Sequence, residues 1–433
     1  MSDSVDALAR VNEWLFGDNY TKTQTTSTPD FPTPPPSSYA MANGSPPKRQ
    51  RTAPDDDDIN RTPTPNNSYV YRIPKPPVLQ QPNYPPSESS RASSTTSNRS
   101  SSPTKTAKKF HLESLEKPVF YKDLDEDTAN QLPIDIKLLH QRIDEITVLR
   151  SAFLPCSIRA EICSALGRQL PDSWFTDSQP SDNHDRDLRV LQRLQHIVGQ
   201  SRRCRELGRG ESGLNWKVHE PLLELALEQY GGEVESEPAT DARILPAFVP
   251  VTNGARISLE SKIDIAIVLD PTINDDDKPL ADLIRQTVVS QLDDRKSLSH
   301  TNYQPFHLRP PATFIETKAT GSAAEGRTQL GIFVAAQNLR FASFLMAKYS
   351  HRKGQLPLSI TLPHILTVEH DWKLFYGCDR GLRIEMVGDV SIGDTKSVLG
   401  ALTLLAVIRE IAKYISNEFK AWMQEILNVD VSI

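Results

Sequence analysis

The stretch "KIDIAIVLD", Lys262–Asp270, alternates apolar and polar or small residues before ending in an acid. In a strand, alternate residues share a face. Asp264, Ala266, Val268 and Asp270 therefore fall on one side, with Ile263, Ile265, Ile267 and Leu269 on the other. The isoleucine side is core. Asp264 starts the strand on the opposite side, where a carboxylate must be exposed, paired, hydrogen-bonded or bound to a cation. A second short strand, "ATFIETK" (Ala312–Lys318), places Phe314, Glu316 and Lys318 on one face. If the two strands are neighbours, Asp264 and Glu316 converge. Two such carboxylates repel and raise a pKa unless a cation sits between them. Mg²⁺ takes few protein oxygens and keeps several waters. A lysine beside the ion orients or deprotonates a water and offsets phosphate charge. These are the requirements of metal-assisted phosphodiester hydrolysis. Taken alone, the same residues also suit a surface ion pair worth under about 1 kcal/mol and an aspartate that caps a turn.

The neighbouring segments set the fold class. Apolar residues at 136, 138, 139, 143, 146 and 149 have helical spacing. Pro155 can open a further helix to about Leu166, and residues 184–206 form a charged one. "ESGLNWKVHEPLLELALEQYGG" (211–232) is a helix closed by its glycine pair, and Pro221 requires a start near His219 or a kink. "RILPAFVPV" (243–251) has the β-branched look of a strand. "DDDKPLADLIRQTVVSQL" is a solvated loop running into a helix, although its acid run Asp275–Asp277 is also a cation candidate. Residues 325–348 form a long helix. "LSITLPHILTVEHDWKLFYGCD" and "LRIEMVGDVSIG" supply more strands, and a helix from about Thr395 to Leu427 follows. The order describes an α/β core, a sheet flanked by helices.

The acid at the start of one core strand followed by E-x-K on the next resembles the PD-(D/E)XK nuclease superfamily, with Ile263-Asp264 and Glu316-Thr317-Lys318 in the motif positions. The phrases "ESGLNWKVHEPLLELAL", "KIDIAIVLDP", "SHTNYQPF", "IETKA" and "TQLGIFVAAQ" extend the likeness over most of residues 110–433, in a setting similar to fungal proteins that carry such a domain. The resemblance implies a restriction-endonuclease-like mixed sheet flanked by helices. It implies Mg²⁺ or Mn²⁺ as cofactor, nucleic acid as partner, and Asp264 and Glu316 as metal ligands. It also implies the Thr317 carbonyl as a third ligand, Lys318 beside the attacking water, Gln329 lining the site, and Glu211 as an acid able to join the metal shell. Glu211 equally suits a solvated first-turn acid favoured by the helix dipole, and Gln329 an ordinary helix-surface residue. Arg327 and Lys348 are candidates for phosphate contact. The alternative to an enzyme is a catalytically inactive module that binds nucleic acid or protein on the same fold.

The rest of the chain bounds this expectation. Of 33 prolines, 17 fall between Pro29 and Pro103. Residues 1–109 read as a disordered Pro/Ser-rich tail, too poor in apolar surface to offset ordering entropy. A helical lead-in subdomain is expected over 110–210 and the nuclease-like core over 211–433. Residues 5–16 form a short amphipathic segment with Val5, Leu8, Val11, Trp14 and Leu15 on one side, either a docking helix for a protein partner or a transient helix. "PPKRQR" carries Lys48, Arg49 and Arg51, a basic cluster suited to an import receptor and hence to a nuclear location, or a chance cluster of solvated charges. The tail holds 13 basic and 10 acidic residues, the remainder 36 and 45. A net-acidic folded part counts against a protein that coats nucleic acid without specificity, while leaving room for a local basic cleft. Cys156, Cys163, Cys204 and Cys378 make no CxxC pair, so neither a zinc framework nor a disulfide scaffold is expected. No basic-then-apolar leader opens the sequence. The apolar run Val398–Ile408 is about half a bilayer crossing, which predicts a buried core helix and no membrane association.

Overall fold

Seven strands form one mixed sheet: β1 (Val119–Asp123), β2 (Val234–Pro238), β3 (Ile265–Leu269), β4 (Pro311–Lys318), β5 (Leu362–Val368), β6 (Asp371–Asp379) and β7 (Ile384–Asp394). Their spatial order is β1-β7-β6-β5-β4-β3-β2. The pairs β1–β7 and β4–β5 are parallel, and all other neighbours are antiparallel. The structure is a computed structural model that describes residues 112–177, 183–252, 255–256, 262–319, 323–349 and 356–428, which belong to one compact unit. The amphipathic segment 5–16, the Pro/Ser-rich tail and the basic cluster Lys48, Arg49 and Arg51 lie outside the described residues.

The helices are α1 (Glu126–Asn130), α2 (Ile134–Thr147), α3 (Arg159–Leu166), α4 (His184–Glu206), α5 (Glu211–Leu214), α6 (Glu220–Leu227), α7 (Lys278–Ser290), α8 (Ala323–Tyr349), α9 (Val398–Tyr414) and α10 (Lys420–Leu427). The alternation read in β3 divides the interior in two. Ile265, Ile267 and Leu269 join a large core with residues of α2, α4, α6 and α9. Ala266 and Val268 face a second core with Phe314, Leu330, Phe333, Leu366 and Phe375, roofed by the N-terminal half of α8. By length and composition α8 is apolar enough to cross a bilayer, yet 78% of its most apolar window is buried inside the protein. That burial makes it the central core helix, whose whole circumference needs apolar neighbours.

Several expectations are corrected. "RILPAFVPV" is mostly irregular around a 3₁₀ turn, Pro246–Phe248, with an isolated bridge at Ile244 and its last residue, Val251, in a short ribbon. Its two prolines remove ladder donors, which overrides the β-branched composition. Two strands had no legible signal. β2, "VESEP", is an edge strand whose Glu235 and Glu237 are taken up by Arg309. β1, "VFYKD", comes from the lead-in and closes the opposite edge. Ile263 lies before the first residue of β3 and packs in the second core, out of step with Ile265. Leu138 and Leu149, expected on the apolar side of α2, are exposed. The start near His219 that Pro221 requires is present: α6 begins at Glu220, with Pro221 in its first turn. A π turn, Asn215–His219, precedes it. The wider turn accommodates a ring that would strike the carbonyl four residues back.

One bulge matters for the site. Between β6 and β7 the register shifts from Phe375 opposite Gly388 to Leu374 opposite Val390, so Asp389 is the extra residue, at φ 70°. A Cβ on Gly388 would overlap the Leu374 carbonyl oxygen and lie 2.7 Å from Phe375 Cα. Backbone cannot yield as a side-chain tip can. Gly388→Ala is therefore expected to cost about 1–3 kcal/mol, read as a lower urea midpoint at unchanged slope. A midpoint equal to wild type would show that the bulge has slack.

Candidate active site

The site is assembled where β3 begins and β4 ends. The antiparallel register Ile265 opposite Ile315 brings Asp264 alongside the Glu316–Thr317 step. Asp264 Oδ2 accepts from the Thr317 backbone N–H and from Thr317 Oγ1, both at 2.8 Å. One carboxylate oxygen is thus fixed by β4 itself. Glu316 is 1% exposed. Its Oε1 lies 2.6 Å from Lys318 Nζ, and the same ammonium lies 3.8 Å from Glu211 Oε1. Glu211 opens α5, which brings its carboxylate to the end of β4. The structure therefore brings together Asp264, Glu316, Thr317, Lys318 and Glu211.

Three carboxylates surround one ammonium, and the charge is unbalanced. Burial, then the Asp264 charge, push the Glu316 carboxyl up to about 8 against the pull of Lys318, and Glu211 adds to the rise. Burial lowers the Lys318 pKa, but Glu316, Glu211 and Asp264 outweigh it and the net direction is up. Both groups hold protons more tightly than usual, which is the signature of excess negative charge. Such a site favours a cation.

The first turns of α8 cover this cluster. A Cβ on Gly326 would lie 2.5 Å from Leu366 Cδ1, an overlap, and in ordinary van der Waals contact with Lys318 Cγ and Glu316 Cγ, at 3.5 and 3.6 Å. Glycine lets the helix settle directly on β4. Gln329 follows one turn later, half-buried. Tyr121 of β1 was not foreseen. Its hydroxyl donates to the Arg327 carbonyl at 2.6 Å, and burial raises its pKa, with the Glu316 charge adding to the rise. Lys348, a candidate for phosphate contact, is instead tied to the Glu425 carbonyl on α10. The acid run Asp275–Asp277 is a 3₁₀ turn whose Asp277 pairs with Lys420 at 3.2 Å.

Among the described residues, no three His, Cys, Asp or Glu side chains are grouped closely enough to form a metal cage by themselves. Mg²⁺ does not need one, because one or two carboxylates plus waters suffice. The excess negative charge, the paired acids and the oriented Asp264 fit a hard divalent cation. Thr317 is then an orienting group as well as a carbonyl donor. Thr317→Val removes one of the two bonds to Asp264 and is expected to weaken Mg²⁺ or Mn²⁺ binding about tenfold, measured by calorimetry. Unchanged affinity would assign the threonine hydroxyl to packing alone.

A family model of the PD-(D/E)XK nuclease superfamily matches residues 164–420, more than half of the chain and every site residue described above except Tyr121. No curated protein sequence matches the chain. The acid–E-x-K geometry at adjacent strand ends and this match agree: the chain belongs to the PD-(D/E)XK nuclease superfamily.

Proposed function

We propose that the protein hydrolyses phosphodiester bonds of nucleic acid with a divalent metal ion at Asp264 and Glu316. The observation that carries this reading is the buried Glu316–Lys318 pair with Glu211 and Asp264 beside it, an over-acidic cluster at the strand ends. Asp264, Glu316 and the Thr317 carbonyl hold Mg²⁺ or Mn²⁺, and Glu211 joins the outer shell. The bound ion supplies Lewis-acid polarisation of the phosphoryl group and a water more acidic than bulk. Lys318, whose proton is held tightly by its acidic neighbours, acts as an ammonium. It donates hydrogen bonds to the attacking water and offsets the charge that builds on phosphate. Gln329 lines the approach from α8.

One observation favours a second reading, a binding module without catalysis. The described residues hold no ready-made three-acid cage, and Glu316 is already engaged by Lys318. One experiment separates the two: DNA and RNA substrates incubated with Mg²⁺ or Mn²⁺. Cleavage supports the nuclease; retained binding with no cleavage under either metal supports the module. We also propose a nuclear location through Lys48, Arg49 and Arg51. Replacing all three with alanine in a fluorescent fusion should abolish nuclear accumulation, and unchanged accumulation would remove that role.

A further inference from the structure

The same face of the sheet carries a second charged cluster beside the acidic one. Glu316 on β4 lies opposite Leu366 on β5, and Leu366 lies opposite Lys373 on β6. Two strand spacings put the two backbones about 10 Å apart. Arg327, the residue after Gly326, whose missing Cβ would meet Leu366, Lys318 and Glu316, reaches the same place from α8. Asp389 holds both cations: Arg327 Nη2 on Oδ2 at 2.6 Å and Lys373 Nζ on Oδ1 at 3.5 Å. All three side chains are about one-third exposed. The Arg327 guanidinium is also stacked 5.6 Å from the Tyr121 ring centroid and 5.5 Å from that of Phe375.

Two features set this cluster apart from an ordinary surface pair. First, the guanidinium is oriented independently of its carboxylate, by the Tyr121 and Phe375 rings and by the helix position that the Tyr121 hydroxyl fixes. It remains positioned if Asp389 lets go. Second, the carboxylate is presented by a bulge in the left-handed region, a conformation that costs a non-glycine residue free energy. Two cations and one anion leave a net positive charge on an otherwise acidic core. A phosphate offers the oxygens that Asp389 now supplies, in a form that a guanidinium binds in bidentate fashion.

We propose that Arg327 and Lys373 form a backbone-phosphate subsite of the polynucleotide, and that Asp389 occupies it in the free protein and is displaced by the phosphate. The subsite rests on the nuclease-fold reading of the neighbouring acids, since it lies on their face and would seat a phosphate flanking the one they address. Arg327 and Lys373 hold the strand; they are binding residues and take no part in bond cleavage.

The test is anisotropy of a fluorescein-labelled DNA duplex, and of RNA of the same sequence, with the full chain and Ca²⁺ present, over a salt series. Arg327→Gln and Lys373→Gln should each weaken binding about tenfold and reduce the slope of log K against log salt by about one. Asp389→Asn should strengthen binding several-fold, because the competing charge is gone while a polar side chain of the same size remains in the bulge. A structural latch predicts the reverse for Asp389→Asn, weaker binding in step with a lower melting temperature, and that result overturns the proposal. So does unchanged affinity in both cation variants. Competition by inorganic phosphate as effective as competition by unlabelled DNA would assign the pair to a small anion and equally overturn it. Wild-type cleavage alongside unaffected variant binding sinks this subsite only, whereas absence of both binding and cleavage by the wild type sinks the nuclease reading beneath it.

Discussion

Glu316→Ala and Lys318→Ala are each expected to lower metal-dependent cleavage by about three orders of magnitude, within the range of a lost catalytic group. Glu316→Gln, which should lose as much activity, and Lys318→Ala should move stability in opposite directions. Glu316 is buried among like charges, with its pKa pushed up to about 8. Glu316→Gln keeps the shape and removes the charge, so the metal-free protein should melt at the same temperature or higher. Lys318→Ala leaves Glu316, Glu211 and Asp264 with no ammonium among them. Breaking one side of such a pair is expected to cost on the order of 1–3 kcal/mol. Loss of activity alone would be ambiguous, since an unfolded enzyme is also inactive. The same loss accompanied by opposite stability changes is not. Asp282→Ala on α7, whose carboxylate makes only a half-exposed pair with Arg285, serves as the control and should leave cleavage unchanged. Equal activity in wild type, Glu316→Ala and Lys318→Ala would remove the catalytic assignment.

The parts of this molecule that were legible in sequence are those whose physics is local. The alternation of "KIDIAIVLD" reports a strand with an isoleucine core face, and from Ile265 to Leu269 the two cores divide along that alternation, with Ile263 alone out of step. Glu316 and Lys318 share a face because the strand period is two, and they meet. The edge strands failed for the converse reason. "VESEP" satisfies its glutamates through Arg309, about 70 residues away, so nothing within the segment announces a strand. "RILPAFVPV" has strand composition, but its prolines remove the donors a ladder needs. In the site, the orienting bonds from Thr317 to Asp264 depend on register, which short motifs do not encode. The Arg327–Lys373–Asp389 cluster was least legible. It needs a bulge, a crossover helix and residues 62 apart in sequence to coincide. Arg327 was visible only as a cation of the right type.

Metal affinity should climb about tenfold per pH unit well below pH 8 and level off through it, a change of about fiftyfold between pH 6 and 8. Glu316 carries a proton over that range and must release it to become a ligand. Calorimetry with Mn²⁺ in buffers of different ionisation heat should count close to one proton released at pH 6.5, and none above pH 9. The same group shapes stability without metal. Its folded pKa is raised, so its contribution is fully present below the unfolded value near 4.5 and is lost as pH rises through about 8. Glu220, pushed up to about 7 by burial, acts in the same sense. The buried histidines oppose them. Burial pulls His219, His300 and His364 down to about 3, so their contribution is present above 6.5 and is lost as pH falls from 6.5 toward 3. Each proton left unmatched tilts the stability curve by about 1.4 kcal/mol per pH unit. The opposing groups leave stability declining toward acid through the histidines and toward alkali through the two glutamates. Saturating Mn²⁺ should remove the Glu316 share of the alkaline decline, because the carboxylate charge that burial penalises is then neutralised in place, while the smaller Glu220 share and the histidine slope on the acid side remain. A metal-free urea midpoint that rises steadily from pH 6 to 8, or a binding constant flat across that interval, would mean that Glu316 is already ionised and does not meet the ion.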